Sequence, residues 1–156
     1  MPETPYNQRT ALLLGQEAVD HLADRHVMVV GVGGVGAYAV EMLARSGVGT
    51  LTIIDADVVS ESNVNRQLPA LISTVGKSKV DVMRRRIMDI NPECKVNAIG
   101  SFVTADNVGV IIDRFAPDFV VDAIDSVAPK VALIEYCYRN KVKLISSMGA
   151  GGRIDP

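Results

Sequence analysis

The sequence predicts an α/β fold, a doubly wound and mainly parallel sheet with helices on both faces. Three observations predict it. An apolar, β-branched run at residues 27–30 leads straight into the glycine cluster GVGGVG and then into a helical pattern over residues 37–45. This is the opening of a nucleotide-binding βαβ unit of the Rossmann-like kind. Four more strand-sized apolar segments follow, each separated from the one before by a helical pattern, which is the signature of parallel strands joined by crossover helices. Hydrophobic residues make up 48% of the chain while aromatics are only 4% and Trp is absent, as suits an aliphatic sheet buried on both faces.

Taken in order, residues 1–8 (MPETPYNQ) are polar and proline-containing and read as a mobile lead-in to one domain over residues 9–156. Apolar positions 11, 12, 14, 18, 19 and 22 fit one or two short helices broken at Gly15. Residues 27–30 are the first strand. Residues 34–46 are the first main helix, ended by Gly47-Val48-Gly49. The second strand, residues 51–54, ends at Asp55, and residues 57–70 (DVVSESNVNRQLPA) are a polar loop. Residues 77–91 form the most regular amphipathic helix, with Val80, Met83, Ile87 and Ile90 on one face and Pro92 just beyond its end. Residues 95–99 are the third strand. Residues 104–115 are a helix with Thr104 as its N-cap. A fourth strand opens at residues 119–121 and ends near Asp122. Ser126 caps a helix that runs to about Arg139, with Pro129 in its first turn. Residues 142–146 are the fifth strand, followed by GAGGRIDP.

Composition excludes several classes. A net charge of −2 gives no global basic field of the kind that advertises nucleic-acid binding. No apolar run is long enough to span a bilayer, and the first residues lack a secretory pattern. Cys94 and Cys137 are too few and too scattered for a zinc site or a disulfide framework and read as structural. A soluble, reducing, cytoplasmic setting is the expectation. His21 and His26 show no partner pattern.

In a parallel sheet, ligands sit at the carboxyl ends of the strands. Three features land there: the glycine loop, Asp55, and the segment Asp122-Ala123-Ile124-Asp125. Gly31 permits the tight turn off the strand, Gly33 lets the backbone approach a phosphate, and Gly36 lets the helix pack close to the sheet. Free N–H groups at the helix start offer partial positive charge to an anion. Asp55 follows Gly36 by 19 positions, where this fold places the acidic residue that accepts from ribose hydroxyls. That serves NAD as readily as ATP, and a strand-end aspartate also caps turns. Asp57 reads as a supporting loop carboxylate.

The loop Asn63-Val64-Asn65-Arg66-Gln67 tips the balance toward phosphate chemistry. Attack on an α-phosphate gains from a guanidinium such as that of Arg66, because charge builds on the phosphoryl oxygens, whereas hydride transfer needs none. Lys79 is either a second cation or a solvated helix lysine. Asp125 is the natural magnesium ligand, because a triphosphate arrives with magnesium. Asp122, at the end of an apolar strand, instead satisfies backbone donors.

GVGGVG, LTIIDAD, SESNVNRQ, GKSK and DAIDS, in this order and spacing, resemble the ubiquitin-activating-enzyme-like superfamily, whose bacterial members (the ThiF, MoeB and HesA group) activate carboxylates by adenylylation. RTALLLG, INPEC, DAIDSVAPK and GAGGRIDP look most like its tRNA threonylcarbamoyladenosine dehydratase branch. The resemblance implies that ATP is held by Gly34 and its neighbours, with Asp55 on the ribose, Asn63 and Arg66 at the phosphates, and Asn65 among the nucleotide-binding residues. It further implies that Lys79 stabilises the α-phosphate and that Asp125, next to Ser126, holds Mg2+. Arg9 matches an arginine that reaches into the partner subunit's site, which implies a homodimer. The acceptor implied is tRNA carrying threonylcarbamoyladenosine, and cysteine desulfurase proteins are implied as further partners. The family's C-terminal part is expected to lie beyond Pro156.

Two other readings compete. Within the superfamily, the acceptor is instead the C-terminus of a ubiquitin-like sulfur carrier; the CxxC pairs and later catalytic cysteine common among such relatives are not in these residues, and both would fall beyond Pro156. In another class, a NAD-binding dehydrogenase or redox-sensing module explains the glycine loop and Asp55 but leaves Asn63, Arg66, Lys79 and Asp125 as coincidence. The basic residues Lys77, Lys79, Arg84, Arg85 and Arg86 suit either a grip on tRNA or the wet face of a helix, and the amphipathic pattern favours the wet face for Arg84–Arg86.

Overall fold

The computed structural model describes residues 7–148. Most of the lead-in expected over residues 1–8, and the terminal GAGGRIDP, lie outside them. Asn7 is already the buried N-cap of the first helix.

Two short helices, α1 (Gln8–Leu14) and α2 (Gln16–Ala23), meet at Gly15, whose φ of +85° ends the first by donating to Ala11. The sheet is built from β1 (His26–Val30), β2 (Thr50–Ile54), β3 (Lys95–Ile99), β4 (Phe119–Asp122) and β5 (Lys143–Ser146). Their order is β3-β2-β1-β4-β5, and every pairing is parallel. The crossovers are α3 (Gly36–Arg45), α4 (Lys79–Ile90), α5 (Val108–Phe115) and α6 (Val127–Arg139).

Alternation along the strands decides which helix covers which face. Val27, Val29, Leu51 and Ile53 point to the side where Val40 and Ala44 of α3 and Val80, Met83 and Ile87 of α4 complete one core. Met28, Val30, Ile54 and Val120 point the other way, onto Val108 and Ile112 of α5 and Leu133 and Cys137 of α6. The α/β class, the five strands and the two covered faces are therefore as expected.

Three boundaries differ. The first main helix starts at Gly36 rather than residue 34, because residues 33–35 turn to form the glycine loop. The third crossover helix, α5, starts at Val108, and Thr104 is not its cap. The Asn107 carboxamide accepts from the Thr104 N–H at 2.8 Å and donates to the Phe102 carbonyl at 2.8 Å, holding residues 104–107 in a turn. The polar loop at 57–70 contains a 3-10 turn at Glu61–Asn63, and Val58 forms an isolated antiparallel bridge with Ser78, so α4 begins only at Lys79.

The winding reverses between β1 and β4. The crevice above their carboxyl ends, flanked by the ends of β2 and β5, is where an open α/β sheet accepts a ligand.

Candidate functional site

The cleft at this crevice encloses about 740 Å³, within the range of small-molecule sites. Its floor is the glycine loop. Gly31 has φ +90° and donates to the Ile54 carbonyl at 2.8 Å. A Cβ at Gly31 would lie 2.6 Å from the Ala123 carbonyl oxygen, and one at Gly36 would collide with the Gly31 carbonyl. The turn is thus closed to side chains at both ends. Among the described residues, the amides of Gly33, Gly34 and Val35 find no acceptor, and they stand at the start of α3, where an anion is favoured.

Asp55 closes the loop from the end of β2. Its Oδ2 accepts from the Val32 N–H at 2.7 Å and its Oδ1 from the Asp57 N–H at 2.8 Å. It is both a turn-holding carboxylate and part of the cleft wall, with lone pairs left for a ribose hydroxyl.

The polar wall comes from the loop after β2 and the start of α4. The Asn63 Oδ1 accepts from the Ser60 N–H at 3.1 Å, which fixes the 3-10 turn. Arg66 donates through Nη1 to the Ser62 carbonyl and to the Asn65 Oδ1, both at 2.9 Å, and its remaining donors are exposed. Lys79 is 4% exposed and its Nζ lies 2.9 Å from the Asp57 Oδ2, so the solvated-lysine alternative is ruled out. A cation at a helix start opposes the macrodipole, and a buried one needs a partner. Asp57 supplies it, yet its carboxylate is 56% exposed, so an entering phosphate can compete for Lys79.

Across the cleft, Asp125 and Ser126 form the exposed turn before α6, with the Ser126 hydroxyl donating to the Asp125 Oδ1 at 3.3 Å. Behind them lies a cluster that sequence reasoning missed. Asp122 is fully buried; its Oδ2 accepts from the Lys130 Nζ and the Ser146 hydroxyl, each at 2.6 Å, and its Oδ1 from the Ile124 N–H at 3.0 Å. Asp122 does satisfy a backbone donor, as expected, but its larger role is to tie α6 and β5 to the loop that carries Asp125. The available signal was the spacing of Lys130 with Leu133 and Cys137, which marks Lys130 as lying on the buried face of α6. Gln67 was also passed over. Its Oε1 is buried without a partner and its Nε2 lies beside Gly33. Ile54, Phe102, Val103 and Ile124 make the remaining wall apolar, fit for a flat base.

The cleft therefore gathers Gly31, Gly33, Gly34, Asp55, Asp57, Asn63, Arg66, Lys79, Asp125 and Ser126. Gly36 supports it from below, Asn65 lies off it as a brace for Arg66, and Arg9 is exposed on α1 outside it. Cys94 and Cys137 are free and buried, and burial pushes both thiols up to about 11. Both are protonated at neutral pH and lie outside the cleft. No described helix is long and apolar enough to cross a membrane.

A glycine loop facing two cations across a half-apolar cleft is an arrangement for a nucleotide whose phosphates react. The ThiF family model matches residues 6–154. The chain belongs to the ThiF family. Within the family it is similar to the tRNA threonylcarbamoyladenosine dehydratase of Escherichia coli K12, with 52% identity over 147 residues covering 94% of this chain and 54% of that protein. The corresponding protein of Bacillus subtilis 168 is 48% identical over 148 residues, covering 95% of this chain and 58% of its own length. The chain thus spans little more than half the length of these relatives. A crystal structure of the E. coli dehydratase in complex with ATP superposes with a TM-score of 0.94 at 50% identity, covering all of this chain and 65% of that one. The doubly wound fold expected from the sequence is the one these ThiF relatives share.

Proposed function

We propose that this chain carries the ATP-binding, adenylylating part of an enzyme that cyclises threonylcarbamoyladenosine in tRNA by an ATP-driven dehydration. One observation carries the reading: buried Lys79 and exposed Arg66 line the same cleft as the glycine loop. A hydride-transfer site does not require that pair of cations, whereas attack at phosphorus gains from it. The relatives' names and the ATP complex of one of them support it.

The free carboxylate of the modified nucleoside attacks the α-phosphorus of ATP, and the bond to the bridging oxygen breaks as pyrophosphate leaves. Lys79, Arg66 and the glycine-loop amides stabilise the charge that builds on the phosphoryl oxygens. An atom of the same side chain then attacks the acyl-adenylate, the ring closes, and AMP leaves with the former carboxylate oxygen. Water is removed in net terms.

Asp125 fits a magnesium ion that arrives with the triphosphate, with Ser126 beside it lining the nucleotide cleft. Mg2+ takes one or two carboxylates and completes its shell with phosphate and water, and the described residues contain no group of three or more His, Cys, Asp or Glu that would hold a resident ion. The ion would supply charge neutralisation at the phosphates. A cytoplasmic homodimer in which Arg9 reaches the neighbour's cleft, and an association with cysteine desulfurase proteins, belong to the same proposal.

The test is pyrophosphate release from Mg-ATP by the natural-length protein, with tRNA carrying threonylcarbamoyladenosine in one run and a ubiquitin-like carrier in the other. Release with tRNA, lost in Arg66→Ala and Asp125→Ala, is the expected result. Release with the carrier alone would keep the adenylylation and overturn the acceptor. Silence with both, together with tight NAD binding, would overturn the whole reading.

A further inference from the structure

A second groove runs along the free edge of β3. Among the described residues that strand ends the sheet and pairs only with β2, so one row of its backbone groups is open there. Arg84 from α4 overhangs it on one face and Arg114 from α5 on the other, around a cavity of about 710 Å³ whose lining holds no carboxylate. In a chain of net charge −2, this is a locally cationic track.

Four arginines are neutralised by carboxylates: Arg25, Arg45, Arg86 and Arg139 each face one. Arg84 and Arg114 have no carboxylate partner among the described residues, although Arg114 lies over the Phe115 ring at 5.2 Å. Val110, 70% exposed, gives the groove an apolar wall between them. The groove adjoins the nucleotide cleft: Ser101, just past the end of β3, lines both.

We propose that this groove is the track for the single-stranded RNA segment flanking the nucleotide to be cyclised. The inference rests on the function proposed above and adds where the RNA lies. Unpaired guanidinium groups bind phosphates and stack on unstacked bases, and an apolar wall accepts a splayed base. A strand held there passes Ser101 and delivers the next nucleotide into the cleft. Arg84 and Arg85 are both exposed, as the amphipathic pattern of α4 predicts, but Arg85 is absent from the groove lining.

The test uses the natural-length protein and a fluorescein-labelled tRNA carrying threonylcarbamoyladenosine, followed by anisotropy across a NaCl series. The double variant Arg84→Gln/Arg114→Gln is expected to raise the RNA Kd at least about 10-fold at low salt. It should also flatten the log–log salt slope by about 1.4, the loss of two single-strand phosphate contacts. ATP affinity stays unchanged, and Arg85→Gln binds RNA as wild type does. Wild-type Kd and slope in the double variant would overturn the groove while leaving the proposed function intact. If the wild-type protein ignores the RNA and instead binds a ubiquitin-like carrier through Arg84 and Arg114, the function falls and the RNA track with it.

Discussion

Lys130 and Asp122 show how one pair of residues sets the shape of a site it does not line on its own. The pair is buried at 2.6 Å and takes Ser146 as a third member. Removing one ion of a buried pair strands the other. Lys130→Met is therefore expected to cost about 3–5 kcal/mol in urea unfolding. Adding Asp122→Asn to it should recover part of the loss, and strictly additive costs would show that the pair is uncoupled. Asp57 invites a different result. Its exposed carboxylate competes with an entering phosphate for the buried Lys79 ammonium, so Asp57→Asn should lower the melting temperature, because it leaves that cation unpaired, without weakening ATP binding. Parallel calorimetric titration and thermal melts would read the two effects.

At the scale of elements, two connections carry pH-dependent stability. Glu41 on α3 receives the Arg86 guanidinium of α4 as well as Arg45 from its own helix. The hydrogen bond from Arg86 holds its carboxyl below the usual range, against the opposing effect of burial. A depressed acid stabilises the fold above its unfolded pKa, so this contribution is lost as pH falls below about 4.3. His26, which opens β1, is bonded to Thr52 of β2 at 2.7 Å. Burial lowers its pKa, while the Asp118 charge and a bond to the Phe115 backbone partly oppose the shift. The unfolded chain then takes up the proton first, so stability falls as pH drops through about 6.5. Thermal melts between pH 7.5 and 5.5 should show that decline in the wild-type chain and a smaller one in His26→Gln; equal declines would remove His26 as the cause. Gly36→Ala is expected to destabilise the α3 start by about 1–3 kcal/mol, because the new Cβ meets the Gly31 carbonyl.

For the molecule as a whole, the cleft is built from the ends of strands that are distant in sequence, so ligand binding and global stability are linked. A ligand at 100 times its Kd adds about 2.7 kcal/mol. A rise in Tm on adding Mg-ATP, without one on adding NAD, is the expected outcome. The same rise with NAD would favour the dinucleotide reading.

Residues alone determined the alternation of strands and helices, the glycine loop and the position of Asp55, because these depend on local periodicity and on backbone freedom that only glycine has. Motif resemblance supplied the family. Only the tertiary structure decided that Lys79 is buried rather than solvated, that Asp122 is paired with Lys130, and that Asn107 displaces Thr104 at the start of α5. It also decided that Arg84 and Arg114, 30 positions apart, overhang one groove. Burial, ion pairing and charge clustering are properties of neighbours brought together by the sheet order, and nothing in a local window of sequence encodes who those neighbours are.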